Sequence, residues 1–571
     1  VLTQDGNQRG ADVQQVNGAV SISSYSGKSY QLGTNGKVTL EPGFVFTAAA
    51  GNRFEISSGP IEGNSKWIFT KYDELNRPVI TGFHYDDRSR AAIQNEVDGK
   101  TNLVTSYTGT GTLEGYSNAG FPASVTQADL LTVTYYDNYS FVPDKNAISP
   151  TTYHDQIKNL VTGSKIRVLG ESTFLRTVTF YDDRYRPVKV ITDNHKGGQD
   201  IVETKYANKI LSQVDEISTY HTSDDYTGTL KIDETFTYDH GDRLLEQTHQ
   251  ITDNGSVKPK TTLVAHEYNE ISQLSGKNLH KKTSGYAQEI DYEYNIRGWL
   301  TKINNGVGLT AQDQFGLQLD YETAGYYNGN IGKMTWLSKG GSSAVGQAFS
   351  YSYDPLNRLK SANYSSMGKN GFFNVNNITY DANGNILSLT RKSNNQTMDL
   401  LDYDYSGNQL TRVEDTGNDA EGFKDINSAT GTVEYLYDAN GNMVEDLNKA
   451  IASISYNFLN LPQVITFSNG DQVKYVYDAA GIKLQKEADI SNVTTLTDYV
   501  AGKYYSNNTL QFFQHAEGRV TKNGSSFDYE YHLMDHLGNV RVTVDESGTA
   551  VQRDDYYPFG LTFNNWLNTS P

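Results

Sequence analysis

The sequence contains no cysteine. Disulfide staples, cysteine-ligated metals and a cysteine nucleophile are thereby excluded, although an oxidising compartment is not, because a large folded chain does without staples. Long apolar runs are missing too: no segment approaches the roughly 18–20 apolar residues that a membrane helix requires. Positive charge is short. Lys and Arg number 48 against 67 Asp and Glu, a formal charge of −19, which argues against nucleic-acid phosphates or anionic lipid as the main partner and is ordinary for a soluble secreted protein. Convincing helical periodicity appears nowhere over a long window. No G-x-S-x-G nucleophile elbow is found either.

What the chain does hold is aromatic. Hydrophobic residues reach 37%, yet aromatics make up 12%, with 41 Tyr against 22 Phe and 4 Trp. A disordered chain would lack them. Tyrosine joins an apolar ring to a polar tip and suits half-buried surfaces, so this composition favours sheets with a large surface over a helical bundle. Gly outnumbers Pro by 51 to 12, which supplies many tight turns.

One unit recurs along most of the chain: alternating apolar and polar residues, Tyr-Asp or Tyr-Asn, a turn with Gly or Asn, then a second short strand. The clearest copies begin at Tyr380 (TYDANGNILSLT), Tyr403 (DYDYSGNQLTRV) and Tyr437 (LYDANGNMVEDL), with Gly at +4 (Gly384, Gly407, Gly441) and Asn at +5 (Asn385, Asn408, Asn442). Looser copies begin at Tyr72, Tyr181, Tyr238, Tyr268, Tyr294, Tyr353, Tyr456 and Tyr477. From Tyr353 onward the starts lie about 19–34 residues apart, a period proper to stacked supersecondary units. Upstream, stretches such as Gly109 to Ala123 read as inserted surface loops. Each unit reads as a β-hairpin in which Asp381 or Asp438 bonds the turn backbone and Gly or Asn takes the positive φ. A single hairpin is marginal in water; a row of them satisfies its own edges.

Residues 1–66 lack the unit and show alternating strand patterns broken at Gly33, Gly36, Gly43 and Gly51, the expectation being a small β-domain that caps or precedes the repeats. The chain opens on Val1 and ends at Pro571 with no capped helix or closing strand. The expectation is a removed leader or a longer parent protein, with chain continuing beyond 571.

These repeats resemble the YD repeat of Rhs proteins, Tc-toxin shell subunits and teneurins. YHLMDHLGNVRVTVD, residues 531–545, resembles the hallmark near the end of an Rhs core, and YYPFGLT (Tyr556 to Thr562) is similar to the segment just after that hallmark in Bacteroidota versions. FTKYDELNRPVITG (Phe69 to Gly82) is similar to the start of their repeat region, and PGFVFTAAAGNRFEI (Pro42 to Ile56) to a strand motif just upstream. The resemblance implies an all-β fold whose hairpins form a spiralling sheet closed into a hollow cocoon. The implied divisions are 1–66 (leader or cap), 67–530 (repeat shell) and 531–571 (core ending). Also implied are a sequestered C-terminal toxin or effector with its immunity protein, and export by the type IX outer-membrane route to the cell surface or beyond. No cofactor, no nucleic acid and no enzymatic role for the shell are expected. The family's self-cleaving pattern (P-x4-G-x2-D-P-x-G) does not occur after Pro558, and the sole Asp-Pro, Asp354-Pro355, sits inside a repeat. The hallmark residues Tyr531, His532, Asp535, His536, Gly538, Asn539, Arg541 and Asp545 are expected to be structural, closing the shell, with Asp535 to Arg541 turned inward.

Chemical sites weigh less. DANGN at Asp381 and Asp438 superficially resembles a calcium loop, but Gly falls at position 4 and not 6, so turn chemistry is the better reading. Gly27-Lys28-Ser29 lacks the glycine that begins a phosphate loop. His532, Asp535 and His536 invite a metal reading, yet two His are not a site. His240, His249, His266 and His280 follow no ligand spacing. The doublets Asp86-Asp87, Asp182-Asp183 and Asp224-Asp225 sit at turns and mean solvation. Tyr and Trp beside Asp and Asn also suit sugars, which leaves a cargo-free adhesin that binds glycans as the alternative to a shell.

Overall fold

The computed structural model describes residues 66–566 except 156, 208–211, 340–345, 419–421 and 427–430, together with the backbone of short strands between residues 2 and 58. The chain is almost entirely β. It divides into two compact units, each built from two separate stretches: Val1–Ile201 with Val433–Asp498, and Val202–Thr432 with Tyr499–Pro571.

In the first unit the early strands pair in parallel, Asp12–Val16 with Tyr30–Thr34 and that with Phe54–Ser58, and Val20–Ile22 with Val38–Leu40. From Lys66–Tyr72 the pairing turns antiparallel and runs through Pro78–Tyr85, Leu130–Tyr136, Val161–Arg167, Phe174–Tyr181 and Pro187–Asp193. A second antiparallel ladder runs from Tyr435–Tyr437 to Val493–Val500. Val168 and Asp478 bridge the two stretches, and Lys196 meets Asp498 at 2.8 Å.

Between Pro78–Tyr85 and Leu130–Tyr136 lies an insertion that departs from the sequence expectation. It holds a nine-residue helix, Arg90–Asp98, capped by the Ser89 side chain on Ala92 N. The stretch Gly109 to Ala123, expected as a surface loop, contributes to a hairpin of Tyr107–Gly111 and Gly115–Tyr116. Leu113 and Tyr116 of that hairpin are buried with Phe69, Ile80, Leu130 and Val133. Two apolar side chains among Gly and Thr suffice to pull the loop onto the core, since each buried ring or branched chain stabilises by about 1.5–3 kcal/mol.

The second unit has a long ladder from Val214–Ser223 to Gln409–Asp415, antiparallel at each step for which the register is defined. A shorter one runs from Lys503–Ser506 to Thr562–Trp566. Period-2 alternation gives each ladder one apolar face: Leu279, Leu317, Trp336 and Phe349 on the long one, Tyr505, Phe513, Val520 and Val542 on the short one, all buried. Side chains of the two ladders meet through Trp336 and Asp555, and through Lys277 and Glu517.

Candidate functional site

The repeat turn is closed by its acidic residue. In the copy at Tyr380, Asp381 Oδ1 accepts from the backbone N–H of Asn383 (2.9 Å) and Asn385 (2.8 Å), and Oδ2 accepts from Asn385 Nδ2 at 2.8 Å. The backbone N–H of Asp381 donates to Asn385 O and that of Gly384 to Asp381 O. Gly384 stands at φ +93°, a region L-residues enter at a cost. Asp438, Gly441 and Asn442 repeat every one of these bonds. Where Arg replaces the last Asn, its Nε donates to the same carboxylate, as Arg358 does to Asp354 and Arg243 to Asp239, each at 2.7 Å.

Neighbouring hairpins are joined by the tyrosines. Tyr268 Oη donates to Leu244 O, Tyr294 to Leu274 O, Tyr321 to Leu300 O, Tyr353 to Ile331 O and Tyr380 to Leu359 O, at 2.8–2.9 Å apart from Tyr380 at 2.7 Å. In most cases the acceptor is the residue five beyond the previous turn's Asp or Asn, where the second strand begins. Ring burial against the sheet pushes the phenols of Tyr294, Tyr321 and Tyr380 up, and that of Tyr353 to about 12. One copy is framed differently from the sequence reading. Tyr405, not Tyr403, is the tyrosine that donates to the preceding hairpin, at Ile386 O, and the strand runs on to close directly through Gly407 and Asn408. Two tyrosines two residues apart share a strand face, and only the length of the hairpin separates them.

The hallmark segment is made of the same parts. Asp535 Oδ1 accepts from Leu537 N and Asn539 N at 3.0 Å, Asn539 Nδ2 returns to its carboxylate, and Gly538 takes φ +83°. Asp545 closes a second such turn on Ser547 N and Thr549 N. The strand between them carries Arg541, 1% exposed, whose guanidinium donates to Asp555 Oδ1 at 3.0 Å and lies 3.7 Å from Asp535. Asp555 also accepts from Trp336 Nε1 (2.6 Å) and Gln347 Nε2 (3.0 Å) of the long ladder. The Arg541 guanidinium sits 4.9 Å over the Trp336 ring. Asp555 was not among the expected site residues; its signal is an unbroken Asp554-Asp555 pair inside a strand, where charge is out of place.

His532 and His536 are half-buried, and burial lowers both of their pKa values. Among the described residues no group of three or more His, Asp or Glu is placed to hold a metal ion. Gly27-Lys28-Ser29 lies outside them. Of the scattered histidines, His249 and His280 bond tyrosines, as His221 also does. His221 Nε2 lies 2.6 Å from Tyr505 Oη, His249 Nδ1 2.8 Å from Tyr529 Oη, and His280 Nδ1 2.7 Å from Tyr531 Oη. Three strands of the long ladder thus each send a histidine to a tyrosine of the short one. Desolvation holds His249 at about 4 and His515, its neighbour at 6.4 Å between rings, at about 3. His515 Nδ1 accepts from Glu517 N and its Nε2 donates to Glu530 O, an arrangement that fits the neutral ring alone.

Stacked Tyr-Asp hairpins, joined through tyrosine and closed by a carboxylate, define a YD-repeat β-sheet protein. Residues 304–565 match the family described as Teneurin YD-shell. No curated protein matches it. Among solved structures it is similar to TcdB2-TccC3, at 15% identity and TM-score 0.34 over 89% of this chain and 32% of that one. A Photorhabdus luminescens Tc holotoxin pore gives 14% and 0.33 over 88% and 30%. A porin-like protein from Bacteroides uniformis gives 11% and 0.15 over 51% and 93%. The chain therefore spans about a third of the Tc structures it resembles. Among the described residues no helix is long and apolar enough to cross a membrane.

Proposed function

We propose that this chain is the wall of an exported container that closes around a C-terminal polypeptide, a toxin or effector, and keeps it from its surroundings until delivery in competition between bacteria. The wall itself is structural. In this reading residues 1–66 lead into the wall, 67–530 form it, and the hallmark from Tyr531 to Asp545 finishes it. The partners are the cargo, its immunity protein and the outer-membrane secretion machinery. The observation that carries the reading is the Arg541–Asp555–Trp336 junction. It ties the last strands to the long ladder through a charged pair buried at 1% and 6% exposure, and a junction of that kind is strongly destabilised when one partner is lost. A wall that must stay shut has a use for such a fastening at its end.

Limited proteolysis of the full-length gene product tests this. The cargo segment is expected to survive protease concentrations that digest the same segment expressed alone. Digestion at equal rates overturns enclosure, and specific binding on a glycan array without protected cargo would favour an adhesin.

A further inference from the structure

The insertion before Leu130–Tyr136 encloses a cavity of about 380 Å³ that the repeat does not explain. Trp67, Phe69, Ile93, Val97, Leu103 and Phe121 give it a mostly apolar wall, with Thr70, Asn76 and Gln94 also lining it. Lys71 also lines it, 2% exposed. The Lys71 ammonium donates to the carbonyls of Ala119 (3.0 Å) and Pro122 (2.7 Å) and pairs with no carboxylate among the described residues. Arg90, exposed at the helix start, lines the same space and is likewise in no ion pair among the described residues. Asp73 is the one carboxylate among the described residues of the wall, and it is occupied: Oδ1 accepts from Leu75 N and Arg77 N, Oδ2 from Arg77 Nε.

A buried ammonium without a counter-ion is costly, and burial alone brings Lys71 down to about 8. In a chain of net charge −19, two unpaired cations around one apolar cavity are complementary to an anion with a hydrocarbon body. The volume lies within the range of about 300–1,000 Å³ in which small-molecule pockets fall. We propose that this cavity binds a small monocarboxylate with an apolar body, its chain against Trp67, Phe69 and Val97 and its carboxylate on Lys71 and Arg90.

The test titrates octanoate, octanol and octylammonium into the 571-residue chain at pH 7, read by calorimetry and by Trp67 fluorescence. Octanoate is expected to bind at least tenfold more tightly than octanol, with octylammonium weakest. At pH 9.5 the preference for octanoate shrinks as Lys71 loses its proton while Arg90 keeps its charge. Lys71→Met brings octanoate down toward octanol, and Val97→Trp, which fills the cavity from a half-exposed position, removes binding of both. Equal affinity for octanoate and octanol at pH 7, octanoate binding unchanged in Val97→Trp, or no binding at millimolar octanoate would each overturn the proposal. The order of the three ligands on the unaltered chain decides the matter even where Lys71→Met does not fold.

Discussion

Acidification from pH 7.5 to 5.0 acts on His249 with a sign and a size set by its surroundings. The imidazole is 1% exposed, bonded to Tyr529 and faced by His515, Phe513 and the more distant Asp233. Its pKa falls from 6.5 to about 4 on folding, chiefly by desolvation. A base depressed in this way contributes its full stability above the unfolded value and loses it as pH drops toward the folded one. At pH 5.0 the gap to 6.5 is worth about 2 kcal/mol, or roughly a 30-fold shift toward the open form. His515 adds in the same direction, whereas half-buried Glu234, whose pKa is raised by desolvation, opposes it. Hydrogen exchange in peptides spanning 244–253 and 526–534, corrected for intrinsic rates, is the assay, run beside His249→Gln. The variant is less protected at pH 7.5 but should lose about 30-fold less on acidification than the parent chain. Parallel pH profiles for the two proteins would refute the account of a histidine held neutral between the ladders.

Tyr405→Phe should cost about 1 kcal/mol in urea unfolding through its lost bond to Ile386, while Tyr403→Phe costs less; the reverse order would restore the sequence framing. Asp555→Ala leaves Arg541 buried without its nearest carboxylate and is expected to destabilise by about 3–5 kcal/mol. Adding Arg541→Met should recover part of that loss, as a double-mutant cycle in thermal unfolding would measure. Gly384→Ala, at φ +93° with open space around its Cβ, should lower stability by about 1 kcal/mol through backbone strain alone, against a smaller effect at a glycine of ordinary φ with only van der Waals contacts around its Cβ, such as Gly99 at φ −81°.

The turn was legible in the sequence because Asp381, Gly384 and Asn385 close it among themselves within five residues. The hallmark is a further instance of the same local chemistry, with Asp535, Gly538 and Asn539 in the same places. What was not legible depends on distance along the chain. The tyrosine acceptors lie about 20 residues away on the preceding hairpin and offer only a backbone carbonyl, so no residue type marks them. His249 and Tyr529 are 280 residues apart, and nothing near either names the other. The sequence starts this copy at Tyr403 because the +4 glycine fits it, although the strand closes two residues later. The helix Arg90–Asp98 escaped notice since nine residues with one buried side chain, Ile93, leave little periodic trace.

Because the tyrosine docks on a main-chain oxygen and the turn is closed from within, that joint depends little on residue type in the neighbour, beyond an Asn or Arg that reaches from one turn to the next. Any unit that presents a carbonyl at the right step is an acceptable predecessor. Such a chain grows or shrinks by whole hairpins without redesign of the joints, and foreign segments slip between two units, as the one carrying Ile93 and Leu113 has done, while the row resumes beyond them. Divergence in sequence is then cheap, and length becomes the variable on which selection acts.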